Sequence, residues 1–207
     1  MFYRTDQKHG LKHNPFNALV APRPIGWIST LDREGRPNLA PYSFFNGVSY
    51  TPPQVIFSGG QRPGRRGESV PMKDSVVNAR ETGEFVVNIA TWDLREPMNA
   101  SSAHFPIGVD EFEQAGLTKE KSELVKPPRV KESPVHLECL TVAVYPTLSV
   151  AGYAPNMIVL GKVIGIHIDE RVLTEGVIDQ KKLQLIGRLG GHDYVRVGEV
   201  FTMIRPE

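Results

Sequence analysis

Residues 22–53 read PRPIGWISTLDREGRPNLAPYSFFNGVSYTPP, and the rest of the chain is arranged around this stretch. Ile25, Trp27, Ser29 and Leu31 alternate with Gly26, Ile28 and Thr30, the period-two signature of a strand. Asp32-Arg33-Glu34-Gly35 follows with turn chemistry, its glycine suited to a positive φ. The chain then returns through Asn38, Ala40 and Tyr42, and Pro41 interrupts the strand pattern ahead of Ser43, Phe44, Phe45, Asn46 and Gly47. The segment is a β-hairpin whose second strand ends in small, polar and aromatic residues, an arrangement that presents backbone to a flat ligand.

Working outward, Gln54–Ser58 reads as a third short strand that stops at Gly59-Gly60. Residues 59–72 are rich in glycine, proline and arginine and cannot bury a face, so they form a basic surface loop. Beyond it, Val76, Val77, Ala79 and Arg80 suit a short helix, with Asp74 or Ser75 as its N-cap and Gly83 at its C-terminus. Glu84–Ile89 is a strand. Trp92 to about Leu124 is polar, helical in pieces, broken by Pro97 and Pro106, and announces no site. Two long strands, 135–146 and 156–169, form the back of a sheet, and Val195–Ile204 gives a last strand. The fold class is therefore mostly β with peripheral helices, a largely antiparallel barrel.

Composition narrows the function classes. The 207 residues suit one domain, 1–207, with residues 1–14 as a polar N-terminal arm that is weakly anchored or reaches a partner subunit. Lys and Arg number 24 against 23 Asp and Glu, so no charge excess points to nucleic acid. No apolar run approaches the roughly 20 residues that span a bilayer, and the N-terminus lacks the order of a signal peptide. A single cysteine, Cys139, allows no internal disulfide and fits a reducing compartment. The expectation is a soluble, cytoplasmic protein without nucleic-acid or membrane partners.

The start of the helix near Asp74 exposes free amides and the positive end of the helix dipole, with Lys73 just before it. If the strand carrying Ser29 and Thr30 lies alongside, two hydroxyls, a lysine and helix amides converge on one phosphate. Local sequence alone equally describes a solvated lysine beside an ordinary cap, and caps that bind nothing are the commoner case. The Ala40–Asn46 segment offers backbone amides for the edge of a planar heterocycle and aromatic surface for its faces, with Ser43 and Asn46 as polar contacts and Phe45 as core. Other chemistries find no support. There is no G-x-G-x-x-G opening a helix, no Walker loop, no nucleophile elbow and no paired-cysteine or H-x-x-x-H metal motif; the histidines at 104, 136, 167 and 192 are isolated.

PRPIGWISTLD, then NLAPYSFFN, PP-x-V-I-F-S, MKDS-V-x-N and E-F-V-V-N-I, in that order, resemble the flavin reductase-like family of FMN-binding split barrels, the group that includes flavoredoxin. The resemblance covers residues 20–90 and, more loosely, the C-terminal GRLGGHDY. It implies a six-stranded antiparallel split β-barrel that forms a homodimer, with FMN at the subunit interface, reduced by NAD(P)H or a protein electron donor. Carried onto this chain, it places Ser29, Thr30, Lys73, Asp74 and Ser75 at the FMN phosphate. Ala40, Pro41, Tyr42, Ser43, Phe44 and Asn46 lie along the ring, with Arg188 and Tyr194 near its open face. Arg62, Arg65 and Arg66 fall in the loop the resemblance does not cover; they are solvated or meet the phosphates of a dinucleotide. The implied activity is that of an NAD(P)H-dependent flavin reductase, either a monooxygenase component or an electron-transfer protein. A non-enzymatic FMN carrier is the alternative, and pyridoxamine-phosphate oxidase chemistry ranks lower because the hairpin resembles the reductases.

Overall fold

In the computed structural model, which describes residues 1–62 and 71–206, the arm of residues 1–14 is mostly exposed and carries no helix or strand. A turn of helix, α1 (Phe16–Leu19), precedes β1 (Arg23–Pro24), β2 (Gly26–Leu31), β3 (Pro37–Tyr42), β4 (Phe45–Tyr50) and β5 (Pro53–Gly59). Then come α2 (Asp74–Thr82), β6 (Glu84–Ile89), α3 (Arg95–Ala100) and α4 (Glu111–Gln114). The short pair β7 (Lys119–Glu120) and β8 (Arg129–Val130) leads to the long strands β9 (Val135–Pro146) and β10 (Met157–Ile168). The chain finishes with β11 (Leu173–Thr174), β12 (Val177–Ile178), α5 (Gln180–Leu183), β13 (Ile186–Arg188) and β14 (Tyr194–Arg196).

The main sheet is antiparallel throughout, in the order β3-β2-β6-β9-β10-β5-β4. It has seven strands where six were expected. The addition is β4, which the prolines and the mixed polarity of 41–53 hide; after the turn at Ser43-Phe44 the chain pairs Phe45 with Phe57 and Tyr50 with Pro53. The terminal strand is shorter than the expected Val195–Ile204, because its partner β13 begins at Ile186, opposite Arg196. Residues 197–206 continue without regular structure.

All seven strands turn residues onto one core, which is what makes the sheet a barrel. Ile28, Tyr42, Phe57, Phe85, Cys139 and Val159 are buried together, with Phe45 packed against them and Val76 and Ala79 of α2 closing one side. Tyr42, Phe57 and Phe85 form a tilted aromatic chain with centroid separations of 5.1 and 5.3 Å, linking an edge strand to the centre. Removing such a side chain from water contributes about 1.5–3 kcal/mol. A second cluster covers the other face of β2 and β3, where Trp27, Leu39, Met98 and Phe112 pack under α3 and α4. Strand β2 is thus buried on both faces, and its alternation separates two cores rather than core from solvent.

Candidate functional site

Helix α2 begins one residue earlier than its cap chemistry suggests. Lys73, with extended φ −60° and ψ 138°, is the N-cap, and its side chain caps nothing. The two candidate caps are engaged elsewhere: the Asp74 carboxylate pairs with the Arg62 guanidinium, and Ser75 Oγ donates to Asn38 Oδ1 at 2.7 Å. The Val76 and Val77 amides donate to Lys73 O at 3.0 and 3.2 Å, and the Asp74 and Ser75 amides at the helix start have no acceptor among the described residues. At the far end Gly83 closes the helix in the left-handed region, φ 77°, its amide donating to Ala79 O.

A cavity of about 150 Å³ opens on this helix start, lined by Ala40, Pro41, Tyr42, Lys73, Asp74 and Ser75. Lys73 is half-buried, and burial lowers its pKa from the ordinary lysine value. Its ammonium sits 5.3 Å from the Tyr42 ring centroid, and among the described residues no carboxylate lies within ion-pair distance of it. Tyr42 Oη is buried beside Ser75 without a hydrogen bond of good geometry, and burial raises the phenol's pKa. A half-buried cation uncompensated among the described residues, free helix amides and an orphaned hydroxyl form a site short of an anion.

The opposite wall comes from the segment expected to hold no site. Trp27 Nε1 donates to Ser101 Oγ at 2.9 Å and Ser101 Oγ to Met98 O at 2.8 Å, which fixes Ser101–Phe105 over the cavity from the second core. Arg62 Nη1 donates to Phe105 O at 2.8 Å, tying the same segment to Asp74. Glu111 of α4 accepts from Asn38 Nδ2 at 2.9 Å and from the Leu39 amide at 3.0 Å. Burial pushes this carboxyl's pKa up while those donors hold it down, with the rise the larger. No local motif marks Ser101, Phe105 or Glu111; the only signal nearby is Asp110, which caps α4 by accepting from the Phe112 amide at 2.9 Å.

The groove continues. Pro41 and Ser102 also line a cavity of about 310 Å³ with Ser43, His192, Arg188 and Tyr194. Arg188 and Tyr194 face each other across β13 and β14, which stacks the guanidinium 4.4 Å from the ring centroid. Arg23, unremarked in the sequence, organises this end. Nearly fully buried, it donates to Asn17 O, to Val20 O at 2.7 Å, to Leu189 O at 3.0 Å and weakly to Ser43 Oγ at 3.4 Å. One guanidinium thereby ties α1, the β13–β14 turn and the β3–β4 turn together.

The expected convergence of Ser29 and Thr30 on one anion does not occur. Neighbours in a strand face opposite sides. Ser29 Oγ donates to Pro128 O at 2.6 Å and accepts from Asn88 Nδ2, while Thr30 Oγ1 accepts from Asn78 Nδ2 at 3.0 Å, and both residues are fully buried. Phe44 and Asn46 also line neither cavity: Phe44 lies in the turn before the edge strand β4 and Asn46 on that strand, and both are exposed. Arg65 and Arg66 lie outside the described residues.

A curled antiparallel sheet with a helix start and a lone lysine on its rim, opening into a groove, defines a split barrel of the flavin-binding type. The chain belongs to the flavin reductase like domain family, which it matches over residues 19–185. It is 32% identical to nitrilotriacetate monooxygenase component B from Bacillus cereus, whose crystal structure superposes with a TM-score of 0.86 over 98% of both chains. An uncharacterised protein of Aquifex aeolicus is 39% identical over 179 residues, 86% of each chain. Flavoredoxin of Desulfovibrio vulgaris (Miyazaki F), 20% identical with a TM-score of 0.75 over 95% and 97% of the chains, shares the fold.

Proposed function

We propose that this chain acts as a single FMN-binding domain that takes electrons from a nicotinamide nucleotide. The observation that carries the reading is the half-buried Lys73 ammonium, without a carboxylate partner among the described residues, beside the free Asp74 and Ser75 amides at the end of a groove. A phosphate monoester supplies the missing anion, and the groove from Tyr42 past Pro41 to Ser43 and Tyr194 suits a flat ring system carried on it. Bound FMN would supply the redox chemistry, accepting two electrons and a proton from the nucleotide and passing them on.

The protein's own residues then hold and enclose. Lys73 and the two amides fix the phosphate, Ala40, Pro41 and Tyr42 form the wall, and the Ser101–Phe105 segment keeps water from the phosphate end. Ser43, Arg188 and Tyr194 border the open end, where a donor would approach. On the exposed edge strand β4, Val48 and Tyr50 are apolar surface that a second copy would cover, in keeping with a homodimer. No helix among the described residues is long and apolar enough to cross a membrane, and a cytoplasmic reductase supplying a monooxygenase fits the kinship with the Bacillus cereus component B.

The test is the visible spectrum of the purified protein, followed by anaerobic addition of NADH and of NADPH and chromatography of the released chromophore. A yellow protein that releases FMN and bleaches promptly supports the reading. A yellow protein that neither nucleotide bleaches is a carrier or partner-dependent protein, and one that will not take up FMN overturns the assignment.

A further inference from the structure

Beyond the groove lies a third cavity, of about 330 Å³, that the flavin does not account for. It is continuous with the groove through Arg188, His192 and Tyr194, and its far side carries Trp92, Arg95 and Arg196. The fold explains the gathering. Thr91 bridges to Leu185 and the Trp92 amide donates to Gln184 O at 2.9 Å, which seats the indole against the β13–β14 hairpin. Tyr194 and Arg196, two apart on β14, share a face. Arg95 and Arg196 stand 4.1 and 5.1 Å from the Trp92 ring centroid.

The charge is unbalanced. Arg196 Nη2 donates to Gln184 Oε1 at 2.9 Å, Arg95 Nη1 to Trp92 O at 2.7 Å and Arg188 Nη2 to Gly191 O, all neutral acceptors. The one acid in the lining, Glu96, stands 3.6 Å from Arg95 with its side chain 80% exposed. Among the described residues neither Arg188 nor Arg196 has a carboxylate within ion-pair distance. Each guanidinium offers five N–H donors, so most of them have no protein acceptor among the described residues.

We propose that this cavity seats the phosphorylated adenosine end of the nicotinamide donor and makes NADPH the preferred donor; the proposal rests on reading the adjoining groove as the flavin site. An indole flanked by guanidiniums matches a purine face with phosphates beside it. The pyrophosphate common to both donors carries two single charges against three guanidiniums, and the third, Arg95, has only the exposed Glu96 beside it. The 2′-phosphate of NADPH, a dianion at neutral pH, answers it.

The probes are adenosine 2′,5′-bisphosphate and adenosine 5′-monophosphate, titrated into the purified protein while following tryptophan fluorescence. Trp27 is buried in the second core, so Trp92 is the tryptophan that reports on the cavity. The expected result is binding of the bisphosphate at least about tenfold tighter than the monophosphate. Arg196→Gln and Arg95→Gln should each erode that preference, raising the KM for NADPH several-fold more than the KM for NADH, with the FMN content unchanged. Equal affinity for the two probes, or a preference untouched by both variants, overturns the proposal. If the protein holds FMN and is reduced but shows no 2′-phosphate preference, this proposal falls and the flavin reading stands. If the arginines bind the bisphosphate but no flavin is taken up, the phosphoadenosine site stands and the flavin reading falls.

Discussion

The Lys73 ammonium stands 5.3 Å from the centre of the Tyr42 ring, while the carboxylate of the next residue, Asp74, is held by Arg62. Among the described residues, adjacent positions thus carry a charge that is balanced and one that is not, and the unbalanced one lines the groove. Lys73→Ala should weaken FMN binding about 10- to 100-fold, the range of one charge-assisted hydrogen bond worth ~1.5–3 kcal/mol. Flavin-fluorescence titration of the apoprotein reads this directly, and an unchanged affinity would remove Lys73 from the phosphate.

Arg62 and Asp74 predict effects of opposite sign. Arg62→Gln leaves Asp74 charged at the mouth of an anion site, so FMN affinity should drop, whereas Asp74→Asn removes the repulsion and should hold or tighten binding. The double variant should lie between the two. Isothermal titration of the three proteins with FMN checks the order; a loss in Asp74→Asn as deep as in Arg62→Gln would mean that the carboxylate itself contacts the ligand.

Phe45 lies over the bare Cα of Gly26: a Cβ there would meet Phe45 Cδ2 at 2.5 Å and Cγ at 2.7 Å. Gly26 is paired on both sides, with Tyr42 and with Ile89, so the backbone has little room to shift. Gly26→Ala should destabilise by roughly 1–3 kcal/mol, lowering Tm by about 2–4 °C per kcal/mol. Differential scanning calorimetry measures it, and restoring space with Phe45→Leu should recover part of the loss.

His136 makes the fold acid-sensitive. Its Nε2 donates to Val130 O at 2.8 Å, Nδ1 is buried without a partner, and burial lowers the pKa from 6.5 to about 4, with Arg129 and His167 adding to the fall and Glu120 opposing it. The folded value lies below the unfolded one, so the unfolded chain binds more protons between about pH 6.5 and 4. Stability present above pH 6.5 is therefore lost as the pH falls through that window, on the order of 3 kcal/mol from this group. Urea unfolding at pH 7 and pH 4.5 should show that loss in the wild type and a smaller one in His136→Gln.

The sequence showed most of the sheet because its evidence is local. The alternation of 25–31, the Asp32–Gly35 turn, the β-branched runs of 135–146 and 156–169 and Gly83 after α2 each state their structure within a few residues. Strand β4 escaped because prolines flank it and its partner, not its own pattern, makes it a strand. Lys73 could be singled out from its place before a helix, but that no carboxylate among the described residues reaches it is a tertiary fact. Ser29 and Thr30 attract notice as hydroxyls near a strand end, yet they face opposite sides, and each already has a protein partner. The far wall was invisible: Ser101 is placed by Trp27, 74 residues away in sequence, and Glu111 by Leu39, 72 residues away.

Parallel titration of the apoprotein with FMN and with riboflavin, which differ by the phosphate alone, in the wild type and in Lys73→Ala, isolates the phosphate's share of the binding. The structure predicts that the wild type favours FMN by about 100-fold or more, from a charged lysine and two helix amides acting together, and that Lys73→Ala narrows the gap at least tenfold by weakening FMN and sparing riboflavin. Equal binding of the two flavins by the wild type, or a gap that survives the loss of Lys73, would contradict it.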